Sequence, residues 1–349
     1  MINNSFFSTE ILHWFRENGR DLPWRETKDP YAIWLSEIIL QQTRIVQGWE
    51  YWERFMQTYP KVEDLAAASE DDVLKLWQGL GYYSRARNLH AAAKQIVALG
   101  SFPNTLDGIK SLKGVGDYTA AAIGSFAFDI PAAVVDGNVY RVLSRYFGID
   151  TPINSTQGKK EFAALAQSLL PASDAASYNQ GMMDFGAIQC TPQSPKCLLC
   201  PLAETCEALR SGRVEELPVK NKTVKVKTRH LSYIYIRCKS SVADGAGNTE
   251  PMIAIHRRGE GDIWQGLWEP YNVSDVKELP SFVKNPILLA KDVKHVLTHR
   301  ILLADFYLLE TETCPQLPDD YIWIKESEIE DYGVPRLIEI MLEKINPAE

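Results

Sequence analysis

Residues 112–128 read LKGVGDYTAAAIGSFAF, and how this stretch folds decides what kind of molecule the chain makes. It runs from the end of one helical segment through Gly114 and Gly116 into another. Two glycines one residue apart allow a tight hairpin whose amides point outward at a helix N-terminus. Such a nest takes a phosphate without reading sequence. A plain helix–helix turn could carry the same two glycines, so the hairpin acquires meaning only from its neighbours.

On its C-terminal side, Pro131 is expected to end the second helix, and VVDGNVYRVLSR sets Asp136 just ahead of another. A carboxylate at a helix N-terminus is favoured in its charged form by the helix dipole and by amide hydrogen bonds. There it can serve only as a cap. It can also stand as a fixed anion facing a sugar that turns cationic as its base departs, the electrostatic kind of catalysis.

Further on, CTPQSPKCLLCPLAETC holds Cys190, Cys197, Cys200 and Cys206, four of the chain's six cysteines within 17 residues. Four thiolates in one loop suit tetrahedral zinc or an iron–sulfur cluster. Zinc sites usually pair two Cys-x-x-Cys knuckles, and here only CLLC is one. Cys238 and Cys314 stand alone and read as packing residues.

The 349 residues suffice for two or three domains. Residues 5 to about 215 read as helices. SEDDVLKLWQGLG shows Ser69 as a cap with acids in the first turn, and DPYAIWLSEIILQQTRI reads as one helix opened by Asp29 and Pro30. After Pro218 the pattern changes. HLSYIYIRC, EPMIAIHRR, RILLADFYLLE and DDYIWIKESEIE read as strands, GAGN as a turn and VPRLIEIMLEKI as a closing helix. The expected organisation is a helical region over 1–215, a linker over 216–229 and an α+β domain over 230–349.

No run of about 18 apolar residues appears, so no membrane span is expected. The start, MINNSFFSTEILHWF, carries no signal-peptide pattern, and a cytoplasmic, reducing compartment is the default. The net charge of −8 argues, taken alone, against nucleic acid as a partner. Basic residues nonetheless cluster at Arg85, Arg87 and Lys94, at Arg141 and Arg145, and in VKNKTVKVKTR, which reads as a solvated linker. A basic face on the helical region is expected.

The cysteine spacing resembles the [4Fe–4S] cluster loop of the endonuclease III and MutY family of DNA glycosylases. The hairpin followed by Asp136 resembles the helix–hairpin–helix glycosylase superfamily, with Lys113 in place of the usual proline. The resemblance implies an all-α helix–hairpin–helix glycosylase domain with a cluster loop, then an α+β MutT/Nudix-like domain. Within the first, it implies a six-helix barrel over about 23–135 and a cluster subdomain of 1–22 plus 136–215. The cofactor implied is a [4Fe–4S] cluster on the four clustered cysteines.

Endonuclease III-like enzymes carry a Schiff-base lysine where this chain has Tyr118, and a tyrosine forms no imine. That points to a monofunctional enzyme in which water attacks the sugar. DLPWRETKDPYAIWLSEIILQQTRIVQGWEYWERF is similar to the signature of the MutY adenine glycosylases. On the expected helix, Glu37 shares a face with Ile33, Leu40, Gln41 and Arg44. Buried near Trp24 and Leu40 its pKa would rise, as a general acid needs. With Asp136 it would form the two-carboxylate pattern of glycosidic cleavage, and Asn138 and Tyr118 are grouped with them as catalytic.

The same resemblance assigns Arg20, Trp24, Arg25, Leu40, Ile45 and Asp184 to an adenine pocket, and Gln42 and Thr43 to probing the duplex. GLGYYSRARNLH supplies Tyr82 as an aromatic wedge beside 8-oxoguanine. Arg85 and Arg87 are expected at phosphates, with Gly114 and Gly116. In the C-terminal domain GDIWQGLWEPYNV resembles the opening of a MutT-like domain, but VSDVKELPSFVKNP lacks the paired acids of a hydrolytic one. Where the family carries Phe-Ser-His, this chain has Leu297-Thr298-His299, so Thr298 and His299 are carried over as lesion readers.

The function implied is excision of adenine opposite 8-oxoguanine or guanine, by a monomer acting on double-stranded DNA. The alternatives are an endonuclease III-like oxidised-pyrimidine glycosylase/lyase and a non-catalytic iron–sulfur DNA-binding protein.

Overall fold

The structure is a computed structural model and describes residues 4–221, 226–239, 250–274 and 282–346. The GAGN turn and parts of the VKNKTVKVKTR and VSDVKELPSFVKNP stretches lie outside those residues. The chain forms two compact units, residues 1–67 with 91–222, and residues 68–90 with 223–349. No helix among the described residues is long and apolar enough to cross a membrane.

The helices are α1 (Asn4–Asn18), α2 (Pro30–Ile39), α3 (Ile45–Thr58), α4 (Val62–Ala67), α5 (Glu70–Leu76), α6 (Ser84–Leu99) and α7 (Leu106–Lys110). They continue with α8 (Asp117–Phe128), α9 (Gly137–Phe147), α10 (Thr156–Leu169), α11 (Ala175–Asp184), α12 (Glu207–Arg210) and, at the C-terminal end, α13 (Arg336–Ile345). Local signals set several ends. Asp29 caps α2 by accepting from the Tyr31 amide, with Pro30 at its first position. Asp136 caps α9, and Ser69 caps α5. The α8 helix stops before Pro131, because Asp129 turns left-handed at its C-cap.

Two clusters of buried residues lie in the first unit among those described. One gathers Phe7, Ile11, Leu143, Phe162, Met182 and Phe185 from α1, α9, α10 and the α11 end, with Cys190, Cys200 and Cys206 packed against it. The other joins Ile33 of α2 to Ala121, Ala122 and Phe126 of α8. Every residue of α2 from Tyr31 to Ile39 is buried, so this helix is enclosed by its neighbours on all sides.

One expectation is corrected here. The helix opened by Asp29 ends at Ile39 and does not run on through QQTRI. Gln42 takes a left-handed φ of 58°, and Arg44 is extended as the N-cap of α3. Gln41 and Arg44 therefore lie beyond the end of α2 and do not continue the helical stripe of Glu37.

The second unit is built on a seven-stranded sheet of β1 (Lys227–Cys238), β2 (Met252–Arg257), β3 (Trp268–Glu269), β4 (Tyr271–Ser274), β5 (Ile287–Val296), β6 (Arg300–Thr311) and β7 (Tyr321–Lys325). The spatial order is β3-β2-β1-β6-β5, with β4 on β1 and β7 on β2. β1 and β6 pair in parallel over their full length; the other pairs are antiparallel. Alternation splits β1 between two cores: Tyr233 and Tyr235 face α13, while Ile234 and Ile236 face the other side. The second half of DDYIWIKESEIE is a short 3-10 helix, not strand. Cys238 and Cys314, read as separate packing residues, form a disulfide with Cα atoms 5.3 Å apart. A separation of 76 residues hides such a pairing from the sequence.

Candidate active site

A cavity of about 600 Å³ opens in the first unit between the end of α2, the 40–44 turn, and the starts of α8 and α9. Arg20, Trp24, Arg25, Glu37, Leu40, Gln42, Thr43, Ile45, Tyr118, Asp136 and Asn138 all line it. Residues scattered over more than a hundred positions thus share one chamber.

Glu37 is 7% exposed. Burial pushes its carboxyl up to about 7; the hydrogen bond from Tyr118 opposes this, the nearby Asp136 charge adds to it, and Arg25 opposes it. The Tyr118 hydroxyl donates to Glu37 Oε2 at 2.9 Å. Asp136 Oδ1 accepts from the amides of Asn138 and Val139 at 2.9 and 2.8 Å, and Oδ2 from Asn138 Nδ2 at 2.8 Å. Contrary to the expectation from its helix N-terminus, Asp136 is not favoured in its charged form. Burial raises its pKa above the ordinary carboxyl value, outweighing those hydrogen bonds and Arg141. A cation arriving beside it would reverse that balance.

Asp184 is fully buried and does not itself line the cavity; it aims two cations that do. Arg25 forks onto both its oxygens at 2.8 Å, and Arg20 adds its backbone amide and Nε at 2.9 Å each. Burial pushes the Asp184 carboxyl up, but the two arginines more than offset it and leave it below its usual value. Trp24 is clamped edge-on between Trp49 and Trp52. Gln180, Met183 and Ala187 also line the cavity, as do Leu22, Ser36, Phe126 and Gly137, and none of these was foreseen.

Arg141 and Arg145, counted above among basic clusters, are buried at 8% and 3% exposure. Arg141 donates to Asn138 Oδ1 at 2.8 Å, to the Gly186 carbonyl at 2.6 Å and to the Cys190 carbonyl at 2.8 Å. Arg145 donates to the carbonyls of Thr191, Pro192 and Leu217 and to Cys190 Sγ. Both serve the cysteine loop. The signal for Arg141 was present: it lies one helical turn beyond Asn138, on the same face.

The four clustered thiols surround a small cavity lined also by Arg145 and Leu209. No three Cys, His, Asp or Glu side chains among the described residues close on a single ion. A tetrahedral zinc would draw four sulfurs to about 2.3 Å of one centre, whereas a cluster holds them apart. Burial, opposed by the Leu202 amide and helped by the neighbouring thiolates, pushes the Cys200 thiol up to about 12. Such a set needs a cationic centre to ionise, and it fits an iron–sulfur cluster.

At the hairpin, Gly114 has φ +79°, a left-handed value that suits glycine. Gly116 is extended, and a Cβ built there would meet nothing within 4 Å. The Val115 amide turns inward to the Leu112 carbonyl.

In the second unit, Tyr82, Thr298 and His299 share a cavity of about 690 Å³ with Trp264 and His295. The Tyr82 and Thr298 hydroxyls are hydrogen-bonded. Arg85 and Arg87, expected at phosphates, are held internally. Arg85 bonds the Leu80 and Gly81 carbonyls, and Arg87 bonds the Gln265 carbonyl at 2.6 Å.

Residues 35–171 match the HhH-GPD superfamily of base excision DNA repair proteins, 190–206 the iron–sulfur binding domain of endonuclease III, and 247–344 the NUDIX domain. An adenine DNA glycosylase of Buchnera aphidicola subsp. Schizaphis graminum is 31% identical over 97% of this chain and 98% of its own length. That of Homo sapiens is 40% identical over 60% of this chain and 41% of its own. Among solved structures, a thermostable thymine-DNA glycosylase is 34% identical over 60% of this chain and 97% of its own, with a TM-score of 0.56. A trapped endonuclease III–DNA covalent intermediate, 22% identical over 61% of this chain and 99% of its own at a TM-score of 0.53, shares the fold.

Proposed function

Since the chain belongs to the adenine DNA glycosylases, enzymes of base excision repair that carry an iron–sulfur cluster, we propose that its substrate is adenine paired with 8-oxoguanine or guanine. The adenine is flipped out of the duplex and released by hydrolysis, without strand cleavage.

The observation that carries this reading is one cavity holding Glu37, Asp136 and Tyr118 together. With a pKa of about 7, Glu37 keeps a proton to give at neutral pH and becomes a base once it has given it. It protonates the departing adenine and then takes a proton from the attacking water. Asp136, fixed by three hydrogen bonds, faces the sugar as positive charge develops on it. Asn138 holds the second oxygen of Asp136, and Tyr118 orients Glu37. Leu40, Ile45 and Trp24 supply apolar walls for the base, with Arg20 and Arg25 as fixed donors. Gln42 and Thr43 probe the duplex, while Gly114 and Gly116 receive its phosphate. Cys190, Cys197, Cys200 and Cys206 would hold the cluster, which would supply the positive charge that keeps four half-buried thiolates together. Tyr82, Thr298 and His299 read the lesion.

The test is to treat a duplex carrying adenine opposite 8-oxoguanine with the enzyme, with and without later alkali. Strand breaks appearing only after alkali support a hydrolytic, monofunctional enzyme. Breaks without alkali, or base release only from oxidised pyrimidines or from thymine opposite guanine, would overturn it.

A further inference from the structure

The GLGYYSRAR stretch places an exposed aromatic on a loop of unusual shape. Gly79, Gly81 and Tyr82 have φ values of 97°, 69° and 47°. A residue with a Cβ enters the left-handed region only where its surroundings hold it. Tyr82 is 49% exposed, so little of that holding comes from packing of its own ring.

The Thr298 hydroxyl bonds that of Tyr82, and the Arg85 guanidinium bonds the loop backbone. Its Nη2 donates to the carbonyls of Leu80 and Gly81, both at 3.3 Å. The buried Trp77 indole donates to that same Gly81 carbonyl at 3.0 Å, and the Arg85 amide donates to the Tyr82 carbonyl at 2.8 Å. The charged plane also lies over two rings, 5.1 Å from the centre of Trp77 and 5.6 Å from that of Tyr82.

We propose that Arg85 is a positioning residue, which holds the 79–82 loop in the shape that presents Tyr82 to the duplex and is not itself a phosphate contact. This rests on the reading of Tyr82 as the wedge beside 8-oxoguanine. A lysine would keep the charge but has neither the planar fork for two carbonyls nor the flat face for two rings.

The experiment uses the full chain with Arg85→Met, Arg85→Lys, Tyr82→Ala and the Arg85→Met/Tyr82→Ala double variant. It reads the preference for adenine opposite 8-oxoguanine over adenine opposite guanine in single-turnover release, and the salt dependence of binding. Tyr82→Ala is expected to lower that preference on the order of ten-fold, the scale of one lost base–aromatic stack. Arg85→Met should lower it comparably, the double variant no further, and Arg85→Lys should not restore it. The salt slope should stay at the wild-type value.

Losses that multiply in the double variant, or a weakening shared by all duplexes with a salt slope smaller by about one, would overturn the proposal and return Arg85 to the phosphates. No effect of Tyr82→Ala would remove the wedge reading and this inference with it. If Arg85→Met fails to fold, Arg85→Gln takes its place under the same criteria.

Discussion

At the scale of single residues, Glu37 joins chemistry to stability. Its pKa rises from the ordinary 4.5 to about 7 because the folded chain buries it. Between those values the folded protein holds a proton that the unfolded chain has released, so stability falls as pH rises through the window. Above about 7 the full cost applies, about 3 kcal/mol. Glu37→Gln is therefore expected to raise the melting temperature by several degrees at pH 8 and to leave it unchanged near pH 4. Calorimetry at the two pH values checks this; equal effects at both would show that Glu37 is not buried in ionised form. Activity should fall with rising pH as stability does, release declining as wild-type Glu37 loses its proton above about pH 7. The two carboxylates were legible because each sits in a local pattern, Asp136 ahead of a helix and Glu37 among apolar neighbours. The direction of the Asp136 shift was not, since sequence shows a helix N-terminus and not the burial that overrides it. The burial of Arg141 and Arg145 and the carbonyl bonds of the half-buried Arg85 were equally hidden, because only tertiary contact separates a cation facing solvent from one bonding carbonyls.

At the scale of elements, the hairpin offers a contrast between its glycines. Gly116 is extended and open, so Gly116→Ala should leave the melting temperature unchanged while its methyl obstructs the approach of a phosphate. Binding is expected to weaken on damaged and undamaged duplex alike. Gly114 at φ +79° should lose about 1 kcal/mol of stability as alanine, through backbone strain. Thermal melting and salt-dependent binding separate the two; normal DNA affinity in Gly116→Ala would mean that the hairpin is only a turn. The helix starts at Asp29, Ser69 and Asp136 were legible because capping is local. The end of α2 was not: the apolar pattern runs on through LQQTRI, and a left-handed Gln42 interrupts it. The cysteine loop was legible for the opposite reason, since all four thiols fall within 17 residues.

At the scale of the molecule, the residues proposed for chemistry and those proposed for lesion reading fall in different units. Glu37, Asp136 and Tyr118 belong to the unit of residues 1–67 and 91–222, while Tyr82, Thr298 and His299 belong to that of 68–90 and 223–349. Sequence order hides the grouping of 68–90 with the C-terminal residues, because it depends on contacts such as Gln78 with Glu339, 261 positions apart. Variants should divide the same way. The most direct measurement is single-turnover adenine release from duplexes with adenine opposite 8-oxoguanine and opposite guanine, by wild type, Glu37→Gln, Asp136→Asn and Thr298→Ala. Asparagine still caps a helix, so Asp136→Asn removes charge without removing α9. Glu37→Gln and Asp136→Asn are expected to lose at least about a hundred-fold on both duplexes. Thr298→Ala should reduce only the preference for 8-oxoguanine. Near-wild-type release by either carboxylate variant would contradict the two-carboxylate account.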